Sequence, residues 1–182
     1  MIHDTALVRK LERLTTTAFK EPVFRATRAG QEPLAASIHG GRWAPPGDVS
    51  VLYTSLEREG ALAEIVYHWS LLTPLPSKGM EVHLISASAS RTLKLIEAQL
   101  WDLGVERSEY TTRNYQRTQE IGAAVEFLGC DGLIVPSARW KCDNLVLFMN
   151  QHDIGEETLQ LIRSEPVDWK EWGRAKGFIS AG

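Results

Sequence analysis

The segment from His39 to Glu64 constrains the fold of this chain most, because its local pattern changes twice within a short span: HGGRWAPPGDVSVLYTSLEREGALAE. Its glycines and prolines are typical of a loop, the apolar run to Tyr53 predicts a strand, and the part ending at Glu64 predicts a helix. Arg42 and Tyr53 are eleven residues apart, as are Tyr53 and Glu64. A hydrophobic core does not need these three side chains around a tight loop, whereas a pocket for an anionic ligand can use them.

The rest of the chain alternates between helix and strand patterns, which predicts an α+β fold. No repeat, low-complexity segment or linker interrupts it, so we predict a single domain over residues 1–182. The aromatic tail after residue 165 gives no clear assignment. Predicted helices cover residues 4–14, 56–72, 97–103 and 112–128, and predicted strands cover 23–27, 49–54, 81–87, 91–96, 132–135, 144–148 and 159–162.

Composition excludes several classes of protein. A net charge of −3 over 182 residues gives no overall electrostatic footprint for nucleic acid. The longest apolar runs, such as Leu145–Met149, are too short to cross a bilayer, and the first residues lack a secretory signal pattern. Two cysteines make no disulfide framework, and five scattered histidines with no C-x-x-C pair make no metal site. We therefore expect a cytoplasmic protein without a metal.

Two arginines and a glutamate are candidate ligand-binding groups. Arg25 interrupts the apolar run VFRAT, and Arg42 follows two glycines that allow close backbone approach. A guanidinium binds phosphate or carboxylate with two parallel hydrogen bonds, but exposed arginine is common, which favours an edge-strand position for Arg25 and a turn position for Arg42. On a helical wheel Glu64 lies at the flank of the apolar face, beside Ala61 and His68. This position suits either a solvated carboxylate or one at the rim of a pocket.

Three further polar residues have two interpretations each. Tyr53 ends a strand and is either a core residue with a locally bonded hydroxyl or a flat face for a planar ring. Ser137 follows a buried strand and either satisfies the turn after Pro136 or holds a ligand, and Asn144, at the start of the next strand, can face the same space. No G-x-S-x-G, G-x-G-x-x-G or P-loop motif occurs, so hydrolase-elbow, Rossmann and Walker-type sites are unsupported.

Taken in order, these motifs resemble the RES domain family. The set comprises Arg25 in a strand and then GGRW (40–43), YTS (53–55), ALAE (61–64), DGLIVPS (131–137) and NLVLFMN (144–150). The resemblance covers about residues 20–165. The family is named for an arginine, a glutamate and a serine, and it is the toxin half of RES–Xre toxin–antitoxin pairs in bacteria.

The resemblance implies a fold, a substrate and residue roles. The fold is similar to the diphtheria-toxin-like ADP-ribosyltransferase core, with small central β-sheets flanked by helices. Members cleave the nicotinamide–ribose bond of NAD⁺ by hydrolysis or phosphorolysis, and others transfer ADP-ribose to a protein. NAD⁺ is thus a consumed substrate, with no catalytic cofactor or metal. The implied catalytic residues are Glu64, Arg25 and Tyr53, and the NAD⁺-binding residues are Arg25, Arg42, Tyr53, Ser137 and, from its position, Asn144.

The resemblance also implies partners. The expected one is an Xre-type helix-turn-helix antitoxin that obstructs the toxin's pocket and makes any DNA contact itself; a transferase would also need a protein acceptor. A binding module without catalysis is the alternative from another class. The chain departs from the family pattern at Arg139, Trp140 and Lys141, a basic and bulky loop whose role the sequence does not define.

Overall fold

The computed structural model describes residues 3–152 and 158–180. Its elements confirm the predicted α+β class, and the predicted helices 4–14, 56–72, 97–103 and 112–128 all form, each with shorter bounds. In chain order the elements are α1 (Thr5–Glu12), β1 (Thr16–Arg28), β2 (Val51–Ser55), α2 (Arg58–Ser70), β3 (Met80–Lys94), α3 (Glu97–Asp102), α4 (Gln116–Phe127), β4 (Gly132–Pro136), β5 (Asp143–Phe148), β6 (Leu159–Val167) and α5 (Trp169–Ala175).

The strands form one connected six-stranded sheet in the order β1-β2-β5-β4-β3-β6. β1 also pairs with β3, so five strands close into a ring and β6 extends from it. The expectation of several small sheets is therefore corrected: the strands join because β3 pairs with β1 along almost its whole length, and also with β6 near its start and with β4 near its end. The β3–β4 pair is parallel and the others are antiparallel.

β1 and β3 are longer than predicted because they pair with each other almost end to end. Their register runs from Thr16↔Leu93 to Arg28↔Met80. Pro22, the residue before the predicted strand 23–27, lies opposite Ser86 with no second partner strand described beside it, a situation in which a strand tolerates proline. Long-range pairing thus fused the two short strands predicted over 81–96 into one.

β5 is buried on both faces, which explains its continuous apolar run. Leu145 and Leu147 face the cluster enclosed by the strand ring, whereas Val146 and Phe148 face the helices α1 and α4. This is the period-two alternation of a strand with two apolar sides. The enclosed cluster includes Phe19, Val23, Leu52, Ile85, Ala87 and Ala89, and the outer one includes Leu7, Leu11, Val51, Ile121, Val125 and Leu133.

α2 is fixed across the sheet by a third cluster. Leu62 and Val66 are fully buried against Met80, Val82 and Trp169. Trp169 begins α5 in the tail that the sequence left unassigned. An N-cap signal was available there, since the Asp168 side chain accepts a hydrogen bond from the Glu171 backbone N–H at 3.0 Å. Among the described residues, no helix is long and apolar enough to cross a membrane.

Candidate active site

A cavity of about 420 Å³ opens between β1, β2, α2 and the glycine-containing loop before β2. Its volume lies within the range of about 300–1,000 Å³ that is usual for small-molecule sites. Five of the six candidate residues from the sequence line it, and Ser137 does not. The lining comprises Phe24, Arg25, Ala26, Gly40, Gly41, Arg42, Trp43, Tyr53, Thr54, Ser55, Ala61, Glu64, Ile65, His68, Tyr115, Pro136, Ala138 and Asn144.

Glu64 is held in the cavity wall through one of its two carboxylate oxygens. Oε1 accepts a hydrogen bond from Ser137 Oγ at 2.7 Å and another from Asn144 Nδ2 at 2.9 Å. No hydrogen bond to Oε2 occurs among the described residues. Two fixed donors on one oxygen orient the carboxylate, so the other oxygen remains available to a ligand. The flank position predicted beside Ala61 and His68 is correct, because all three residues line the cavity.

Ser137 lies behind Glu64 and organises the loop that follows β4. Besides donating to Glu64, its hydroxyl oxygen accepts hydrogen bonds from the backbone N–H groups of Arg139 at 3.1 Å and Trp140 at 3.2 Å. The turn interpretation therefore describes its local contacts. The same hydroxyl joins the turn to the cavity carboxylate, so Ser137 can act on a ligand through Glu64.

The side-chain NH₂ group of Asn144 donates a hydrogen bond, whereas its oxygen has no hydrogen-bond partner among the described residues. Nδ2 donates to Glu64 Oε1. This bond fixes which way the amide is oriented, because Oδ1 cannot donate to a carboxylate. Oδ1 is buried and accepts no hydrogen bond from any residue that the structure describes. A buried acceptor in a cavity wall is suited to a ligand hydroxyl or amide.

Tyr53 secures the loop that carries Arg42. Its hydroxyl accepts a hydrogen bond from the Trp43 backbone N–H at 3.1 Å, and burial raises the pKa of this phenol above its usual range. Gly41 is required beside it, because a Cβ there would lie 2.5 Å from the hydroxyl oxygen. The local-bond interpretation thus holds for the hydroxyl, while the residue still lines the cavity.

α4 supports the same loop from the other side. A Cβ on Gly122 would meet the carbonyl oxygen of Trp43 at 1.8 Å, so the loop backbone lies directly on the helix. Gln119 Nε2 donates to the Gly41 carbonyl at 2.9 Å. These contacts leave the backbone from Gly41 to Trp43 little freedom, and they fix the point from which the Arg42 side chain starts.

The two predicted arginines enter the cavity without a carboxylate partner. Arg25 donates to the Ala35 carbonyl at 3.0 Å, and burial lowers its pKa to about 10, which still leaves it protonated at neutral pH. Arg42 donates to the Thr112 carbonyl at 3.2 Å, and its Nη1 is buried without an acceptor. Neither arginine takes part in an ion pair within the described ranges. The cavity lining therefore carries two positive guanidiniums and the negative carboxylate of Glu64, and this net positive charge favours binding of an anion.

Tyr115 and Phe24 are lining residues that the sequence analysis missed. Arg42 stacks over the ring of Tyr115, with Cζ 4.7 Å from the ring centroid, and over Tyr110 at 5.2 Å. Only the fold brings Tyr115 to the site, through the packing of α4 on the Arg42 loop. Gly122 was the available signal, since glycine inside a helical pattern often marks close approach of another element.

Comparisons with known proteins agree with the motif order. The chain matches the family model for the RES domain over residues 11–170. It is 25% identical over 143 residues to the NAD(+) phosphorylase MbcT of Mycobacterium tuberculosis, which covers 74% of this chain and 77% of that protein. The MbcT of Mycobacterium bovis gives the same values.

The fold also has a solved counterpart. It is similar to a chain in the crystal structure of the M. tuberculosis MbcT–MbcA toxin–antitoxin complex, with a TM-score of 0.80 and 22% sequence identity. The match covers 96% of this chain and 98% of the other. At that identity, the likeness establishes the fold alone.

Proposed function

Because this chain belongs to the RES domain family, we propose that it is a toxin enzyme that consumes NAD⁺ by cleaving the bond between nicotinamide and ribose. The main observation behind the proposal is that Glu64 is anchored through Oε1 in a cavity that is also lined by the charged side chains of Arg25 and Arg42. Relatives named NAD(+) phosphorylase support the same reaction. Transfer of ADP-ribose to a protein is the alternative use of this chemistry.

Glu64 is the proposed catalytic carboxylate. As the bond breaks, its electron pair goes to the nicotinamide nitrogen and positive charge develops at the anomeric carbon. A fixed carboxylate beside that carbon stabilises the charge where it forms. The oxygen Oε2 suits this task, because the anchoring bonds all go to Oε1.

The remaining residues have proposed binding roles. Arg25 and Arg42 hold the anionic diphosphate of NAD⁺ through charge-assisted hydrogen bonds. Tyr53 contributes its ring to the nicotinamide ribose, because its hydroxyl already accepts from Trp43. Asn144 accepts a ribose hydroxyl at its unpaired Oδ1. Ser137 assists by positioning Glu64.

Phosphorolysis is our first expectation and hydrolysis the second. In phosphorolysis a phosphate oxygen bonds to the anomeric carbon while nicotinamide leaves as a neutral base, giving ADP-ribose 1-phosphate. In hydrolysis water attacks and releases a proton, giving ADP-ribose. Neither route requires a metal or a catalytic cofactor in this proposal, since the substrate itself carries the cationic leaving group.

The proposal extends to fold, partner and cellular site. Arg25 on β1 and Glu64 on α2 face one cavity, which supports the ADP-ribosyltransferase-like core implied by the resemblance, within a single RES domain spanning residues 1–182. The named MbcT–MbcA complex supports neutralisation by an antitoxin, which we propose is of the Xre type and supplies any DNA contact. NAD⁺ is abundant in the cytoplasm, where we expect the protein to act.

The test measures nicotinamide release from NAD⁺ by the purified chain, free of antitoxin, with and without inorganic phosphate. We expect release that requires phosphate and that falls about 100- to 1,000-fold in Glu64→Gln, as in losses of charge stabilisation in other active sites. Glu57→Gln is the matched control, because it removes the same charge at the N-cap position of α2, where the Glu57 side chain makes no capping hydrogen bond and does not line the cavity.

Three outcomes separate the alternatives. Release without phosphate indicates hydrolysis. Labelled protein in a cell extract supplied with labelled NAD⁺ indicates transfer. No release and no label, with wild-type and Glu64→Gln equally toxic in cells, would identify a binding module and reject the enzyme proposal.

A further inference from the structure

Two arginines from different loops grip adjacent backbone carbonyls beside the cavity. Arg42 Nη2 donates to the Thr112 carbonyl, and Arg139 Nη1 donates to the Thr111 carbonyl. Both guanidiniums are thereby brought to the same short segment before α4. Burial is the main cause that lowers the pKa of Arg42, and the nearby positive charge of Arg139 makes a small contribution in the same direction.

Both guanidiniums retain donors that nothing in the described chain satisfies. Arg42 Nη1 and both Nε and Nη2 of Arg139 are buried without an acceptor. Leaving a buried donor unpaired costs about 1–3 kcal/mol, and more when it is charged. Among the described residues, neither arginine forms an ion pair. The unpaired donors of the two arginines are therefore suited to an anion that has several acceptor oxygens.

The surroundings hold Arg139 in place for this role. Its guanidinium lies flat over the Tyr67 ring, with Cζ 3.4 Å from the centroid. The loop that carries it is closed by a hydrogen bond from the Ser137 N–H to the Cys142 carbonyl at 2.8 Å, and Trp140 packs against Trp172. Arg139 therefore sits on a fixed loop and a stacking platform, as expected for a preorganised binding group.

The pair also adjoins the cavity already described. Arg42 lines that cavity, and so does Ala138, the residue before Arg139. A ligand in the cavity and an anion at the arginine pair would then be neighbours.

We propose that Arg42 and Arg139 form a subsite for a phosphate group at the cavity mouth. This inference deepens the proposed function and rests on it for the source of the ligand, which is either free phosphate or the diphosphate of the dinucleotide. It assigns a task to Arg139, in the basic loop by which this chain departs from the family pattern. Paired planar guanidiniums suit phosphate because each supplies two parallel donors.

The experiment measures binding without turnover. The purified full chain is titrated with inorganic phosphate and, separately, with ADP-ribose, at ionic strength held constant with chloride, and the shift of the thermal unfolding midpoint gives the apparent affinity. We expect Arg139→Gln and Arg42→Gln to weaken binding of one of these probes at least about 10-fold, as expected for the loss of one charge-assisted contact. Arg139→Lys should give an intermediate loss, because it keeps the charge without the fork.

Lys141→Gln is the matched control. It removes one positive charge from an exposed position of the same loop, so any long-range effect of net charge appears there too. We expect its affinity for both probes to stay within about twofold of the wild type, since an exposed charge contributes little. The unfolding midpoint of each variant without ligand identifies any that fail to fold.

The probes distinguish the ligand's source. Weaker phosphate binding in Arg139→Gln identifies a free-anion site, and weaker ADP-ribose binding alone identifies the dinucleotide's diphosphate. Equal affinities of wild-type, Arg139→Gln and Lys141→Gln for both probes would overturn the subsite. These titrations measure binding and do not depend on cleavage of NAD⁺. If the chain bound phosphate but did not cleave NAD⁺, the proposed function would be rejected and the subsite would stand.

Discussion

Ser137 donates its hydroxyl hydrogen bond to Glu64 Oε1 at 2.7 Å, joining two residues that are 73 positions apart in the chain. The serine lies outside the cavity lining, and the glutamate lies within it. The two residues therefore act in series: the serine orients a carboxylate, and the carboxylate meets the ligand. This arrangement gives the serine a role that does not require contact with the substrate.

Ser137→Ala should lower kcat more than it raises KM. Loss of a hydrogen bond to a charged group costs about 1.5–3 kcal/mol, so we expect kcat for NAD⁺ cleavage to fall about 10- to 100-fold. Steady-state nicotinamide release checks this split. Ser137→Thr restores a donor and should recover most of the rate. A rise in KM with unchanged kcat would instead indicate that the hydroxyl binds substrate directly.

Tyr53→Phe should destabilise the protein more than it impairs catalysis. The change keeps the ring at the cavity but removes the acceptor of the Trp43 N–H. An unpaired buried N–H costs about 1–3 kcal/mol, so the free energy of unfolding should drop by that amount. Urea unfolding followed by tryptophan fluorescence measures it. A large loss of kcat with unchanged stability would contradict the anchoring role and favour a chemical role for the hydroxyl.

Gly122→Ala should separate α4 from the Arg42 loop. The added methyl group would meet the Trp43 carbonyl oxygen at 1.8 Å, so helix and loop must move apart. Overpacking of this kind costs about 1–3 kcal/mol, and we expect a lower unfolding midpoint together with a raised KM for NAD⁺. Gly79→Ala is the control, because its new methyl group would be 3.2 Å from the Ala29 Cβ and Gly79 does not line the cavity. Similar effects in both variants would show that the close approach is unimportant.

Cys142 should be slow to alkylate at neutral pH. Burial raises the pKa of its thiol above the usual range, and the thiol lies 3.3 Å from Ser55 Oγ. A raised pKa leaves the protonated, unreactive form dominant at pH 7, and the thiolate forms only as the pH rises further. Iodoacetamide labelling from pH 6 to 10, followed by mass spectrometry, should show a rate below that of a free cysteine peptide at pH 7. Cys130→Ser removes the other thiol, and rapid labelling of this variant at pH 7 would contradict the prediction.

The sequence predicted the α+β class and five of the residues that line the cavity, for different reasons. Apolar periodicity located α1, α2 and β5, because burial on fixed faces leaves a local trace. The full lengths of β1 and β3 depend on their mutual pairing, which leaves no trace at Pro22 or between residues 88 and 90. Motif order pointed to Arg25 and Glu64, and both line one cavity.

What the sequence missed at the site depends on contacts between distant segments. Tyr115 reaches the cavity only because α4 packs on the Arg42 loop. Arg139 could be recognised as unusual, but its stacking on Tyr67 requires α2 and the loop after β4 to meet. Ser137 was predicted to contact a ligand or to complete a turn. Its hydrogen bond to Glu64 could not be predicted from neighbouring residues, because the two residues are 73 positions apart in the chain.

The strand order has a consequence for the cell that makes this protein. β2 meets β1 at a single pair, Phe24↔Ser55, and its main partner is β5, which the ribosome synthesises much later. The anchors of Glu64 also come late, since Ser137 follows β4 and Asn144 is the second residue of β5. A nascent chain that has been synthesised only as far as α4 therefore contains Glu64 but lacks the two residues that donate hydrogen bonds to it. Glu64 therefore acquires both of its anchors only after the segment from Ser137 to Asn144 has been synthesised, well after α2 itself.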